Sequence, residues 1–210
     1  MKIDKYFLCH YTKLSDRKED VNNQLKNHSI EPEWILDYDQ ESVDFETIGE
    51  IYSNILSEKF LGRRLRNSEI SLILKHEECL RRIVENNYRN SVIFEDDIVL
   101  CDDFVDKLDV YTSQLPQDYD LLWIGTCCNL QQVPIEHNKF VYQNMRGSRC
   151  THAFLISLEC ARKILKEMKY VYFPSDFFYN KMIQDFKLKS FWAEPALVTQ
   201  NTNYKSSVQV

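Results

Sequence analysis

The sequence predicts an α/β fold, a mostly parallel central sheet flanked by helices, on two observations. Short apolar runs rich in β-branched and aromatic residues alternate with amphipathic stretches of ten or more residues. No Pro-, Gly- or Ser-rich linker, internal repeat or low-complexity tract interrupts the 210 residues. The alternation implies βαβ crossovers, which lay parallel strands side by side and cover both faces of the sheet with helices. A single domain over 1–210 follows, and 44% hydrophobic residues suffice to build its core.

In chain order, strands are expected at Lys5–His10, Glu33–Tyr38, Ser91–Phe94, Leu121–Gly125, Ala153–Ser157 and Lys189–Ala193, where the apolar runs are short and bounded by polar residues. Helices are expected at Asp16–Asn27, Ser68–Asn87, Phe104–Gln114, Leu158–Lys169 and Asp176–Phe186. The second of these opens at Asn67 or Ser68, and its Glu69, Ile73, His76, Leu80 and Ile83 recur every three or four residues, so they share one face. Asp102 and Asp103 are expected to cap the third, and Ser175 the fifth. In such a fold ligands bind beyond the carboxyl ends of the strands, so polar residues just after a strand are the first suspects.

Composition removes several function classes. Twenty-six Lys and Arg against 32 Asp and Glu give a net charge of -6 with no long basic run, which argues against nucleic acid as a partner. The seven cysteines are scattered without CxxC spacing, which speaks against a disulfide scaffold or a zinc knuckle and reads as buried reduced thiols. Four glycines leave no room for a Walker loop or a GxGxxG fingerprint. The apolar stretch Tyr6–Cys9 is short for a signal-peptide core, and Leu121–Cys128 is far from the roughly 20 residues that span a bilayer. A soluble chain with no transmembrane segment is expected, in a cytoplasmic setting, bacterial or viral, or peripheral at a membrane.

The strongest local signal is Val92-Ile93-Phe94-Glu95-Asp96-Asp97, an apolar strand running into three carboxylates. Adjacent acids raise one another's pKa, so the triplet is costly unless a cation or hydrogen bonds compensate. A hard divalent ion, Mg²⁺ or Mn²⁺, would do so and would bring phosphate oxygens with it; an exposed acidic turn is the plainer alternative. Glu69 and His76 point inward from an apolar helix face and each needs a partner or a ligand. Locally, a satisfied structural pair accounts for them. Asp176 in Pro174-Ser175-Asp176 sits in a first helical turn beside aromatic residues, as an ordinary helix start or as an oriented general base. Arg17, just after the first strand, and the cluster Arg63, Arg64 and Arg66 could meet phosphate or water. Arg146-Gly147-Ser148-Arg149 reads as a turn that could contact phosphate or acceptor. His10, His28, His137 and His152 lack metal-ligand spacing and read as structural or solvent-facing.

Taken in order, these segments resemble glycosyltransferase family 25. The resemblance is carried by Thr12 to Arg17, by Leu65 with Ser68-Glu69-Ile70 and His76, by Val92 to Asp97, by Tyr119-Asp120-Leu121-Leu122, by Gly147 with Thr151 to Ser157 and Ala161, by Pro174-Ser175-Asp176, and by Pro195 to Gln200. It covers about Lys5 to Val208. Three positions depart from the family pattern: Ser71 in place of a glycine, Lys75 in place of a serine, and Cys9-His10-Tyr11 in the first strand.

The resemblance implies a GT-A type Rossmann-like domain, a UDP-sugar donor, a divalent cation, most often Mn²⁺, and inversion at the anomeric carbon. It implies Glu95 and Asp97 as metal ligands and Asp176 as the catalytic base. On the donor side it implies Asp96 at ribose or sugar hydroxyls, Arg17, Glu69 and His76 around the pocket, and Gln200 near the metal or diphosphate. Asp120 is expected to belong to the fold. A hexose, galactose first and glucose next, would pass to a glycan or a collagen-like hydroxylysine acceptor. The open alternative is a non-catalytic sugar-nucleotide or carbohydrate-binding domain that keeps the fold.

Overall fold

A computed structural model describes residues 1–42, 53–125, 135–144, 150–168 and 172–204. The elements run β1 (Lys5–Cys9), α1 (Ser15–Asn27), β2 (Glu33–Ile35), α2 (Asn54–Leu61), α3 (Asn67–Asn86), β3 (Asn90–Glu95), β4 (Ile98–Leu100), α4 (Phe104–Thr112), β5 (Leu121–Trp123), β6 (Ile135–Asn138), β7 (Val141–Asn144), β8 (Ala153–Ser157), α5 (Leu158–Leu165), α6 (Ser175–Asp185), β9 (Ser190–Ala193) and β10 (Val198–Gln200). Among the described residues, eight strands form one sheet in the order β2-β1-β3-β8-β5-β9-β7-β6, and β10 pairs with β4 in a small second sheet. Among the described strands only β8 and β7 run against the common direction of the large sheet, which is therefore mostly parallel, as the alternation predicts.

Helices cover both faces. In β3, Val92 and Phe94 join α1 and α4 in one core, while Ile93 joins α3, α5 and α6 in the other. This is the period-2 alternation of a strand buried on both sides. The same alternation carries Glu95 to the Ile93 face, beneath α3 and α6. The inward face of α3 is as expected, with Glu69, Ile73, His76, Leu80 and Ile83 all buried.

Two capping expectations fail. Asp103 occupies the N-cap of α4 but makes no capping hydrogen bond there and pairs with Lys107 instead, and the N-cap of α6 is Pro174. Ser175 is left to serve elsewhere, and its hydroxyl lies 2.9 Å from Thr151 Oγ1, fastening the start of α6 to the entry of β8. Asp120 belongs to the fold, its carboxylate receiving Lys189 N–H and pairing with Lys163. Cys9, Cys79, Cys101 and Cys160 are free, whereas Cys150 is in a disulfide, a departure from uniformly reduced thiols. Arg146 to Arg149, Cys127 and Cys128 lie outside the described residues. Among the described residues, no helix is long and apolar enough to cross a membrane.

Gly125 shows how tightly the strand ends are packed. It bridges Val198 beside the fully buried His152, and a Cβ there would lie 2.3 Å from His152 Nε2. A ring with no exposed surface has little room to swing aside, so Gly125→Ala is expected to destabilise the fold by roughly 1–3 kcal/mol. The urea midpoint measures it; an unchanged midpoint would mean that the ring has somewhere to go.

Candidate active site

Strand register assembles the site. Cys9 lies opposite Glu95 across the parallel β1–β3 pair, so the residues that follow, His10 and Asp96, emerge together at the carboxyl ends of the two strands. On the other side Gln200 of β10 lies opposite Ile98 of β4, which brings its side chain to Asp97. A cleft with about 100 Å³ of water-accessible space opens here, lined by Cys9, His10, Tyr11, Arg17, Gln40, Ser68, Ser71, Leu72, Lys75, Glu95, Asp96, Asp97 and Gln200.

The three acids divide into different roles. Asp96 is buried and tied to the chain: Oδ2 lies 2.8 Å from His10 Nδ1 and accepts Tyr11 N–H at 3.0 Å, and Oδ1 accepts Arg17 Nη1–H at 2.9 Å. Burial pushes its carboxyl up, but these donors outweigh burial and hold it below the ordinary value. Arg17 in turn lies under the Tyr204 ring, 5.0 Å from its centroid. Asp96 thus pins the start of α1 to the strand ends.

Glu95 and Asp97 each keep a buried oxygen with no hydrogen-bond partner among the described residues, Oε1 and Oδ1 respectively. His76 Nε2 stands 3.6 Å from Glu95 Oε1, in ion-pair range but too far for a hydrogen bond. Burial opposes ionisation of Glu95, yet His76, Thr151 and His152 bring its carboxyl below the usual range. Burial likewise opposes charge on His76, and Cys9 and Glu95 bring it above its usual value. Asp97 goes the other way. Burial first, then the charges of Glu95 and Asp96, push it up to about 7, against weaker help from Arg17 and from Gln200, whose Nε2–H donates to Oδ2 at 3.2 Å. Among the described residues no three His, Cys, Asp or Glu side chains form a ready metal cage.

Two residues expected in the donor pocket lie outside the cleft lining. Glu69 receives a two-pronged contact from Arg63, at 2.6 and 2.7 Å, and the Arg66 N–H at 2.7 Å, which is the structural pairing its helix start suggests. His76 is fully buried, stacked on Phe154 and 3.4 Å from Tyr179 Oη, and acts on the site from behind, through Glu95 and Cys9. Arg64 pairs with Glu58. Asp176, partly buried in the first turn of α6, also lies outside the lining but within electrostatic reach of Glu95 and Glu69. Burial and those two charges push its carboxyl up, against the Phe177 N–H that donates to Oδ1 at 2.9 Å.

Several residues of the site escape a reading of the sequence. His10 lacks metal-ligand spacing, although its place directly after the first strand is a usable signal. Lys75 Nζ is buried between Asp37 O and Asp39 Oδ1, the latter at 2.8 Å, and Ser71 Oγ donates to Tyr38 O. The two departures on α3 therefore build one wall of the cleft by holding residues 37–39, a role no local pattern announces. Thr151 and His152 reach Glu95 from the approach to β8, far away in sequence.

Comparison with known proteins agrees in kind. The family described as "Glycosyltransferase family 25 (LPS biosynthesis protein)" matches residues 3–179. Procollagen galactosyltransferase 1 of Danio rerio is 26% identical over 221 residues, covering 94% of this chain and 36% of the relative. Procollagen galactosyltransferase 2 of Homo sapiens is 22% identical over 223 residues, covering 94% of this chain and 35% of the relative. The chain thus spans about a third of the curated relatives it matches. Among solved structures, a glycosyltransferase involved in the glycosylation of the major capsid of PBCV-1 superposes with a TM-score of 0.49 and 11% identity, covering 97% of this chain and 96% of that one.

Proposed function

The chain belongs to glycosyltransferase family 25, and from that premise we propose that it moves a hexose, galactose first and glucose next, from a UDP-sugar to a hydroxyl of a glycan or hydroxylysine acceptor, with inversion. The observation that carries this reading is the pair of buried carboxylate oxygens, Glu95 Oε1 and Asp97 Oδ1, that have no hydrogen bond among the described residues, at the strand ends that floor the cleft.

Glu95 Oε1 and Asp97 Oδ1 are hard oxygen donors, and a cation beside them would favour the ionised form that Asp97 resists on its own, so the residues present fit Mn²⁺ or Mg²⁺. Bound there, a divalent cation would neutralise diphosphate charge and stabilise the leaving group. Gln200 orients Asp97 through its amide. Asp96 keeps its oxygens on His10, Tyr11 and Arg17, and so serves by holding the cleft's two strand ends in register. Asp176 takes the proton from the acceptor hydroxyl as that oxygen attacks the anomeric carbon opposite UDP. Burial near other carboxylates suits it to this task, because a base with a raised pKa holds a proton more readily near neutral pH. Galactose is placed first because the curated relatives are named as galactosyltransferases.

The test is calorimetric titration with UDP, with and without Mn²⁺, followed by hydrolysis of UDP-galactose and UDP-glucose. Metal-dependent UDP binding with slow hydrolysis of one donor is expected. Absence of UDP binding in both conditions would return the chain to the non-catalytic carbohydrate-binding alternative.

A further inference from the structure

Beside Asp176 lies an aromatic surface that the transfer chemistry does not use. Phe60, near the end of α2, stacks on Tyr172 with ring centroids 5.4 Å apart and meets Phe173 at 5.8 Å. Tyr172 and Phe173 are 4.6 Å apart, and Phe173 continues to Phe177 at 6.4 Å. Phe60 and Phe177 are each 54% exposed, whereas Phe173 packs against the core and anchors the run. Four linked rings with two outer members open to water are more than scattered surface apolarity.

Their place is the informative part. Tyr172 and Phe173 lead directly into Pro174-Ser175-Asp176, and the Phe177 N–H holds Asp176 Oδ1. Phe177 follows Asp176 directly and Phe173 precedes it by three residues, so an occupant of these rings lies close to Asp176. We propose that this surface is the acceptor subsite and that its occupant is a glycan, whose hexose rings lie on Phe60, Tyr172, Phe173 and Phe177. The inference rests on the transferase reading above, with Asp176 as the base.

Three features favour sugar over peptide. A pyranose carries positively polarised C–H groups on an apolar face, which suits the electron-rich face of an aromatic ring. Its rim hydroxyls need polar neighbours, and Lys59 lies 5.6 Å from the Phe60 centroid while Lys181 interacts with Tyr172. The elements here, α2 and α6, spend their backbone groups within the helices, so they offer no strand edge to an extended peptide.

Saturation-transfer difference NMR on the whole chain tests this, with lactose, N-acetyllactosamine, cellobiose and a Gly-Pro-Pro repeat peptide as probes, alongside calorimetric UDP titration. At least one disaccharide is expected to take up saturation at its ring C–H protons, with affinity about tenfold weaker in the Phe60→Ala/Phe177→Ala double variant. Its thermal midpoint controls for folding, and if the pair unfolds, Phe60→Leu keeps the apolar bulk and removes the ring. The proposal is overturned if no disaccharide binds the wild type, if binding survives loss of the rings, or if only the peptide binds and the variants abolish it. A protein that binds UDP but no sugar loses this proposal alone; one that binds neither loses the transferase reading as well.

Discussion

Asp176→Asn is expected to lower sugar transfer by roughly 10²–10⁴-fold while leaving UDP affinity within about a factor of two. The amide is nearly isosteric and can still accept the Phe177 N–H that now holds Oδ1, so the helix start should survive. What it cannot do is take a proton from an attacking hydroxyl. Because Asp176 lies outside the cleft lining, donor binding has little reason to change. The pH dependence carries a second signature. Burial, with Glu95 and Glu69 nearby, favours the neutral form of Asp176, and only the ionised form can act as base. Transfer by the wild type should therefore rise with pH along a limb displaced above the ordinary aspartate value of about 4. Single-turnover transfer measured from pH 4 to 8, beside calorimetry with UDP, decides the matter. A D176N variant that keeps the wild-type rate would remove Asp176 from the base role.

Asp97→Asn should abolish Mn²⁺-dependent UDP binding and, in the metal-free protein, raise stability at alkaline pH. Both effects come from one cause. Burial and the charges of Glu95 and Asp96 raise the folded carboxyl to about 7, against an unfolded value of 3.8. The folded state holds its proton more tightly, so this group's contribution to stability falls as pH rises from about 4 through about 7. The full shift corresponds to about 4 kcal/mol, and solvent at this partly exposed residue reduces it to the order of 1–3 kcal/mol. An amide stays neutral throughout and can still accept the Gln200 hydrogen bond. The variant should melt several degrees above wild type at pH 8 and alongside it near pH 4, in the presence of chelator. Equal melting at pH 8 would mean that Asp97 is not strained by its neighbours, and retained metal dependence would remove it from the ligand set.

The alternation of elements and the placement of the acidic triplet are legible because both are local. A run of β-branched and aromatic residues declares a strand, and a strand that ends in carboxylates declares a charged strand end. The inward face of α3 is legible for the same reason, since spacings of three and four read out one side of a helix. The elements that the sequence does not announce are short: α2, β4, β6, β7 and β10, of three to eight residues. Such segments owe their conformation to the neighbours they pair with, as β10 does to β4.

The partners of the acids are legible only in part. Sequence alone determined the α/β class, the family resemblance, and that Glu95, Asp96 and Asp97 share a strand end. Tertiary structure alone decided how the three divide. Strand alternation turns Glu95 under α3, where His76 from the preceding helix meets it. Register across β1 and β3 hands Asp96 to His10 and Arg17, about 80 positions earlier. Pairing of β10 with β4 delivers Gln200 to Asp97 across 103 positions. A carboxylate's charge state follows from its burial and from the donors around it. Those donors are brought together by sheet register, which no local stretch of sequence records.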